Sequence, residues 1–172
     1  MRKWGAIALV IAALGGLLGW SQLGSEPLPE GTRADRVRVH KSTRTLELWR
    51  GDELVRAYRV SLGRAPLGAK RRAGDGRTPE GHYVLDYRKL DSSFHRALHV
   101  SYPSPGDAAT ATSRNVDPGG LIMVHGLRNG LGLLGRLHTL MDWTDGCIAV
   151  RDDEIEEILR VVPDGTPIDI EP

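Results

Sequence analysis

Apolar and polar positions alternate along much of the chain. Val37 and Val39 fall between Arg36, Arg38 and His40, a period of two that predicts a strand. Thr45-Leu46-Glu47-Leu48-Trp49 repeats the alternation, Arg50-Gly51-Asp52 reads as a hairpin-type turn, and residues 54–62 read as the next strand. Residues 63–81 are rich in Gly and Arg with no period, which predicts a loop. Further short strands are expected over 82–87 and 98–102. Residues 103–120 read as irregular, with one helical turn around Asp107-Ala108-Ala109. Leu121-Ile122-Met123-Val124 is wholly apolar and ends at His125-Gly126, the profile of a buried strand, and Cys147-Ile148-Ala149-Val150 is a second such run. Residues 131–140 have the makings of a short helix. Asp153 followed by Glu156 reads as a capping box that opens an amphipathic helix through Val162. Pro163-Asp164-Gly165-Thr166 turns the chain into a last strand through Ile168 and Ile170. These elements predict a mainly β domain, a sandwich or barrel of about 140 residues with two or three short helices.

The N-terminus has a different pattern. Arg2 and Lys3 precede an uncharged stretch from Trp4 to Ser25, apolar on every face over residues 7–14. That is the profile of a secretory signal, and it also exceeds the roughly 20 residues a membrane-crossing helix needs. Residues 1–25 are therefore expected to be a signal or membrane anchor, with residues 4–20 as the anchoring stretch. Glu26-Pro27-Leu28-Pro29-Glu30-Gly31 begins a linker over 26–35, and the folded domain spans 36–171. Basic flanks stay inside, so the domain is expected on the periplasmic side of the cell envelope, secreted or anchored in the inner membrane. No cysteine lies near residue 20, which excludes a lipoprotein anchor.

Composition narrows the function. The 172 residues are 40% hydrophobic and 26% charged, which is ordinary for a globular domain. A net charge of +1 calls for no nucleic-acid partner. The charge is unevenly placed, +8 over residues 33–96 and −7 over 97–172. Either the two halves interleave and neutralise each other, or a cationic face meets an anionic polymer. Cys147 is the single cysteine, so there is no intrachain disulfide and no Cys-x-x-Cys metal site.

A lone cysteine is an inert core residue, a redox liability or a nucleophile. His125 weighs toward the third, because both residues sit at an end of an apolar run and both adjoin a glycine. Thiolate chemistry needs a nearby imidazole to take the proton or to stabilise the ion pair. On that reading the thiolate fraction of Cys147 should exceed that of a free cysteine. The residues around the pair then become familiar. His125-Gly126, a spacer and Thr144-Asp145-Gly146-Cys147-Ile148 resemble the signature of bacterial cell-wall L,D-transpeptidases. Residues 46–49, Thr78-Pro79-Glu80-Gly81, 98–103 and 163–168 are similar to segments of the same family, so the resemblance covers about residues 36–170.

The resemblance implies a β-sandwich-like barrel with Cys147 and His125 in one cleft and no metal or other cofactor. It implies that Cys147 attacks a peptidoglycan tetrapeptide stem before its terminal D-alanine. His125 acts as base and then acid, with its ring oriented by the carbonyl of Gly126 or a neighbour. The amides of Gly146 and Cys147 are the expected oxyanion donors, and Trp143, Thr144, Asp145 and Tyr102 the expected substrate contacts. An amine of a diaminopimelate residue, another acceptor or water then takes the thioester. Two positions depart from the commonest pattern: Asp145 stands where many members have His, and Ala149 where many have Arg or Asn. That leaves a peptidoglycan hydrolase as the alternative enzyme and a non-catalytic wall-binding module as the alternative of another class. Among other candidates, His95-x-x-x-His99 falls on a predicted strand and is not expected to bind zinc. Lys70-Arg71-Arg72 reads as a solvated loop, and Glu154, Glu156 and Glu157 as the wet face of the last helix. Asp142 and Asp145, flanking Trp143, either read an acceptor amine or cap the loop.

Overall fold

The structure is a computed structural model that describes residues 26–172 together with Gly16, Gly19 and Gly24. The expected N-terminal signal or anchor rests on residues outside that set. Among the described residues no helix is long and apolar enough to cross a membrane.

Period-two alternation gives the strands their inner faces. β1 (Arg36–His40) buries Val37 and Val39, and β2 (Thr45–Arg50) buries Leu46 and Leu48. Val37 lies opposite Leu48 and Val39 opposite Leu46, so one face of this antiparallel pair is wholly apolar. β3 (Glu53–Arg59) continues the meander and buries Tyr58. The other strands are β4 (Gly81–Ser92), β5 (His95–Val100), β6 (Met123–His125), β7 (Ile148–Ala149) and β8 (Thr166–Glu171). Their order in the sheet is β3-β2-β1-β8-β4-β5-β6-β7, with β1·β8 and β6·β7 parallel and the other pairs antiparallel.

A sheet of this size twists and coils. Here it curls until the chain after β3 reaches β7. Ser61 N–H donates to Ala149 O at 3.0 Å and Ala149 N–H returns to Ser61 O at 2.8 Å. The expected barrel is thus a curled sheet joined at its edges. Leu62, Leu85, Leu98, Ile148, Ile155 and Ile168 sit in its core. Full burial of each such side chain contributes about 1.5–3 kcal/mol.

Helix α1 (Pro105–Ser113) follows a capping box in which Ser104 Oγ accepts from Asp107 N–H and Asp107 Oδ2 accepts from Ser104 N–H. It is longer than the single turn expected, and it buries only Ala111. Helix α2 (Asp152–Val161) presents Ile155, Ile158, Leu159 and Val161 to the core and packs on β5 and β6. Its cap is one-sided and lies two residues before the expected Asp153–Glu156 pair: Arg151 N–H donates to Glu154 Oε2 at 2.9 Å. A 3-10 segment (Gly132–Leu140), broken at Gly135, takes the place of the expected helix over 131–140.

Three surface expectations are corrected. Glu154 and Glu157 are not part of a wet face, being largely covered, whereas the Glu156 side chain stays 40% exposed beside His95 and Arg96. Glu157 accepts from Tyr58 Oη at 2.8 Å and from Leu28 N–H at 2.7 Å, which ties the linker to α2. Lys70 is not solvated: it is buried and paired with Asp75 at 3.0 Å. Leu121 is not a buried strand residue but an exposed one, in the left-handed region at φ 54°. The two oppositely charged halves of the chain do interleave. Arg44–Asp142, Arg56–Glu157, Arg64–Asp145, Arg88–Asp164 and Arg96–Glu156 all cross between them.

Candidate active site

Adjacent parallel strands bring the two expected reactive residues together. Val124 pairs with Ile148 and His125 with Ala149, so Met123 stands beside Cys147 at the start of β7. Side chains alternate along a strand. Cys147 and His125 therefore project to the face opposite the core residues Val124 and Ile148. Both line one cavity of about 830 Å³, with Phe94, Met123, Leu134, Trp143 and Thr144 among its walls.

Loop ties set the nucleophile's position. Thr144 N–H donates to Leu62 O at 3.1 Å and Arg64 N–H to Thr144 O at 2.9 Å. Thr144 Oγ1 accepts from Gly146 N–H at 3.1 Å and donates to Cys147 O at 2.7 Å. Gly146 has φ 128°, and a Cβ there would lie 2.5 Å from Arg77 O, so only glycine fits this turn. Of the two amides expected to hold an oxyanion, that of Gly146 is engaged by Thr144. The Cys147 amide has no hydrogen-bond partner among the described residues.

The imidazole is held equally firmly. His125 Nδ1 lies 2.6 Å from Gly126 O, and a carbonyl can only accept, so Nδ1 carries the proton and Nε2 the lone pair. Phe94 packs on the ring at 4.6 Å between centroids and Trp143 meets it edge-on at 5.8 Å. Burial pushes the His125 pKa below its usual value, outweighing the Gly126 carbonyl. Burial also pushes the Cys147 thiol up, with Asp145 adding to the rise, while the Met123 amide and Lys70 oppose it. Both directions run against the expected thiolate-rich cysteine. Desolvation disfavours both charged forms and so favours a neutral thiol beside a neutral imidazole.

The remaining expected residues are placed as follows. Trp143 and Asp145 line the cavity, and exposed Asp145 pairs with Arg64 at 2.5 Å. Tyr102 does not reach it: it is buried, with its hydroxyl donating to Pro118 O. Asp142 holds the loop by accepting from Leu62 N–H at 2.9 Å and from Arg44. Ala149 is fully buried at the sheet closure. His95 and His99 each face a carboxylate, Glu156 and Asp86. Among the described residues no group of three or more His, Cys, Asp or Glu could hold a metal.

Two wall residues had escaped the pattern of the sequence. Phe94, the chain's single phenylalanine, sits in the β4–β5 turn. His138 lies in the 3-10 segment, where its Nε2 is buried without a partner, as is Trp143 Nε1. The loop over 63–81 also proved ordered by two buried lysines. Lys41 Nζ binds Gly68 O, Thr78 O and Glu80, and Lys70 binds Asp75.

Comparison with known proteins places these residues in a family. Residues 34–170 match YkuD, the L,D-transpeptidase catalytic domain. The chain is 28% identical over 181 aligned residues to YafK of Escherichia coli (strain K12), covering 94% of this chain and 64% of YafK. It thus spans somewhat less than two thirds of that curated relative. Among solved structures, the helical cell shape determining protein Pgp2 from Campylobacter jejuni superposes with a TM-score of 0.63 at 22% identity. That match covers 91% of this chain and 54% of Pgp2. Bd1075 of Bdellovibrio bacteriovorus gives a TM-score of 0.55 at 24% identity, covering 87% and 52%. At these identities the two structures establish a shared fold.

Proposed function

The chain belongs to the L,D-transpeptidase catalytic-domain family, and from that premise we propose that it is a peptidoglycan L,D-transpeptidase with Cys147 as nucleophile and His125 as base. The observation that carries this reading is the tautomer of His125. With Nδ1–H committed to Gly126 O, Nε2 is left as a proton acceptor on the face it shares with Cys147.

A neutral resting pair makes the chemistry one of general base catalysis at the moment of attack. The Cys147 thiol gives its proton to His125 Nε2 as sulfur bonds to the carbonyl carbon before the terminal D-alanine of a tetrapeptide stem. The Cys147 amide donates to the developing oxyanion. His125 passes the proton to the leaving nitrogen, the C–N bond breaks, and D-alanine departs from a thioester. A diaminopimelate amine then attacks that carbonyl, gives its proton to His125 and regenerates the thiol. The reading places the domain in the cell envelope, where its polymer substrate lies.

Incubation of the full chain with purified muropeptides, followed by mass spectrometry, tests the proposal. Cross-linked dimers and released D-alanine are expected, and both should vanish in Cys147→Ser. Shortened stems without dimers would assign hydrolysis instead. Unchanged muropeptides would overturn both activities.

A further inference from the structure

The sheet register draws a line from the base toward a lysine. Lys89 lies opposite Ala97, and Ala97 opposite His125. Directly opposed residues share a face, so Lys89 and His125 project to the same side with two strand spacings between their backbones, about 10 Å. The residue between them, Ala97, is buried and carries only a methyl group. Lys89 and His125 both line the catalytic cavity.

A second cation is held at the same end. Arg128 lies in the loop after β6, which Asn129 straps to the β4–β5 turn. Asn129 N–H donates to Ser93 O at 3.0 Å, its Nδ2 to Ser92 O at 3.1 Å, and its Oδ1 accepts from His95 N–H at 2.8 Å. Arg128 therefore stands against the turn that follows Lys89, and it lines the cavity too. Neither side chain has an ion pair or hydrogen bond with any described residue. Among the described residues the single carboxylate on the cavity wall, Asp145, adjoins the nucleophile and is already paired with Arg64. The cavity is thus cationic and uncompensated beyond His125.

We propose that Lys89 and Arg128 bind the C-terminal carboxylate of the donor peptide and so select stems that end in a free carboxylate. The inference rests on the transpeptidase reading above. In that reaction the leaving nitrogen takes its proton from His125 Nε2, and the carboxylate of a leaving amino acid lies about 3–4 Å beyond its nitrogen. A lysine stem reaching along the row from β4 meets it there. The guanidinium of Arg128 supplies a second, forked set of donors. A stem whose last residue is amidated or linked onward offers these cations no charge.

The test uses two synthetic tetrapeptide stems, one with a free C-terminal carboxylate and one with a C-terminal amide. Release of the last residue is followed for the full chain, Lys89→Met, Arg128→Met, the double variant and Lys89→Arg. The wild type is expected to prefer the free acid at least tenfold in kcat/KM, as a charge-assisted contact implies. Each Met variant should raise KM for the acid about tenfold and leave the amide unaffected. The double variant should lose the preference, and Lys89→Arg should keep most of it. Both side chains are exposed, so melting temperatures should match the wild type. Equal use of both stems by the wild type, or a preference that survives in the double variant, overturns the subsite while leaving the transpeptidase reading intact. Release from neither stem, with Cys147→Ser indistinguishable from wild type, overturns the reading and the subsite together.

Discussion

The hydroxyl of Thr144 donates to the carbonyl of Cys147 at 2.7 Å and accepts the amide of Gly146 at 3.1 Å. One side chain thereby closes the turn that carries the nucleophile, and Thr144 is itself buried. Thr144→Val keeps the shape and removes both bonds, leaving two backbone groups without partners. A loss of about 1–3 kcal/mol in denaturant unfolding is expected, together with a large fall in thioester formation. Thr144→Ser should preserve most of both. Equal behaviour of Val and Ser would show that the turn holds without the hydroxyl.

The thiol itself makes a second prediction. Burial raises the Cys147 pKa, so native alkylation by iodoacetamide at pH 7 should run slower than for a free cysteine, whose pKa is about 8.5. The rate should keep climbing as pH passes that value. Because His125 is neutral at rest, His125→Ala should change alkylation little while abolishing turnover. A pH–rate midpoint below that of free cysteine would restore the ion pair and refute the neutral resting state.

Strand positions were legible because one-sided burial imposes a period of two. Val37, Val39, Leu46 and Leu48 declare themselves, as do His125 and Cys147, each at the end of an apolar run and next to a glycine. What escaped depends on contacts between distant segments. Helix α1 has no apolar stripe, because Ala111 alone is buried and the Ser104–Asp107 cap does the rest. Leu121 resembles its apolar neighbours yet turns outward through a left-handed backbone. Glu157 looks like a surface acid until the linker and Tyr58 fold over it. The rise of the Cys147 pKa is not legible in the sequence for a related reason. Sequence shows that an imidazole is present, but burial is a property of the folded cavity.

Lys70 and Asp75 carry a third prediction, since their side chains are only 3% and 9% exposed. Burial alone would raise Asp75, but the amides of Arg71, Arg72 and Arg77 together with Lys70 bring its pKa down to about 2. Lys70→Met leaves that carboxylate without its cation, and a loss of about 3–5 kcal/mol is expected. Lys70→Met with Asp75→Asn should lose less than the two single changes summed, which a double-mutant cycle measures. Lys70 also counters the rise of the Cys147 pKa, so Lys70→Met should slow alkylation further. Additive losses and an unchanged alkylation rate would remove Lys70 from both roles.

Acid sensitivity supplies the last prediction, and it centres on His138. Ser61 Oγ donates its proton to His138 O at 2.8 Å, so at 3.2 Å it can only accept from His138 Nδ1–H. That leaves His138 Nε2 as a buried acceptor with no partner. Burial, with His125 and Arg151 nearby, lowers the pKa of His138 from 6.5 to about 4. Between those values the unfolded chain binds a proton that the native state refuses. Stability is therefore complete above about pH 6.5 and is lost as pH falls toward 4, by about 3 kcal/mol from this residue. His125, whose pKa is also lowered by burial, acts in the same direction. His138→Gln cannot take up a proton and should flatten the curve of unfolding free energy between pH 6.5 and 4 by about that amount. Denaturant unfolding of both proteins across the range decides the matter. Parallel curves would mean that His138 titrates alike in the folded and unfolded chain, and that its Nε2 is not held away from water.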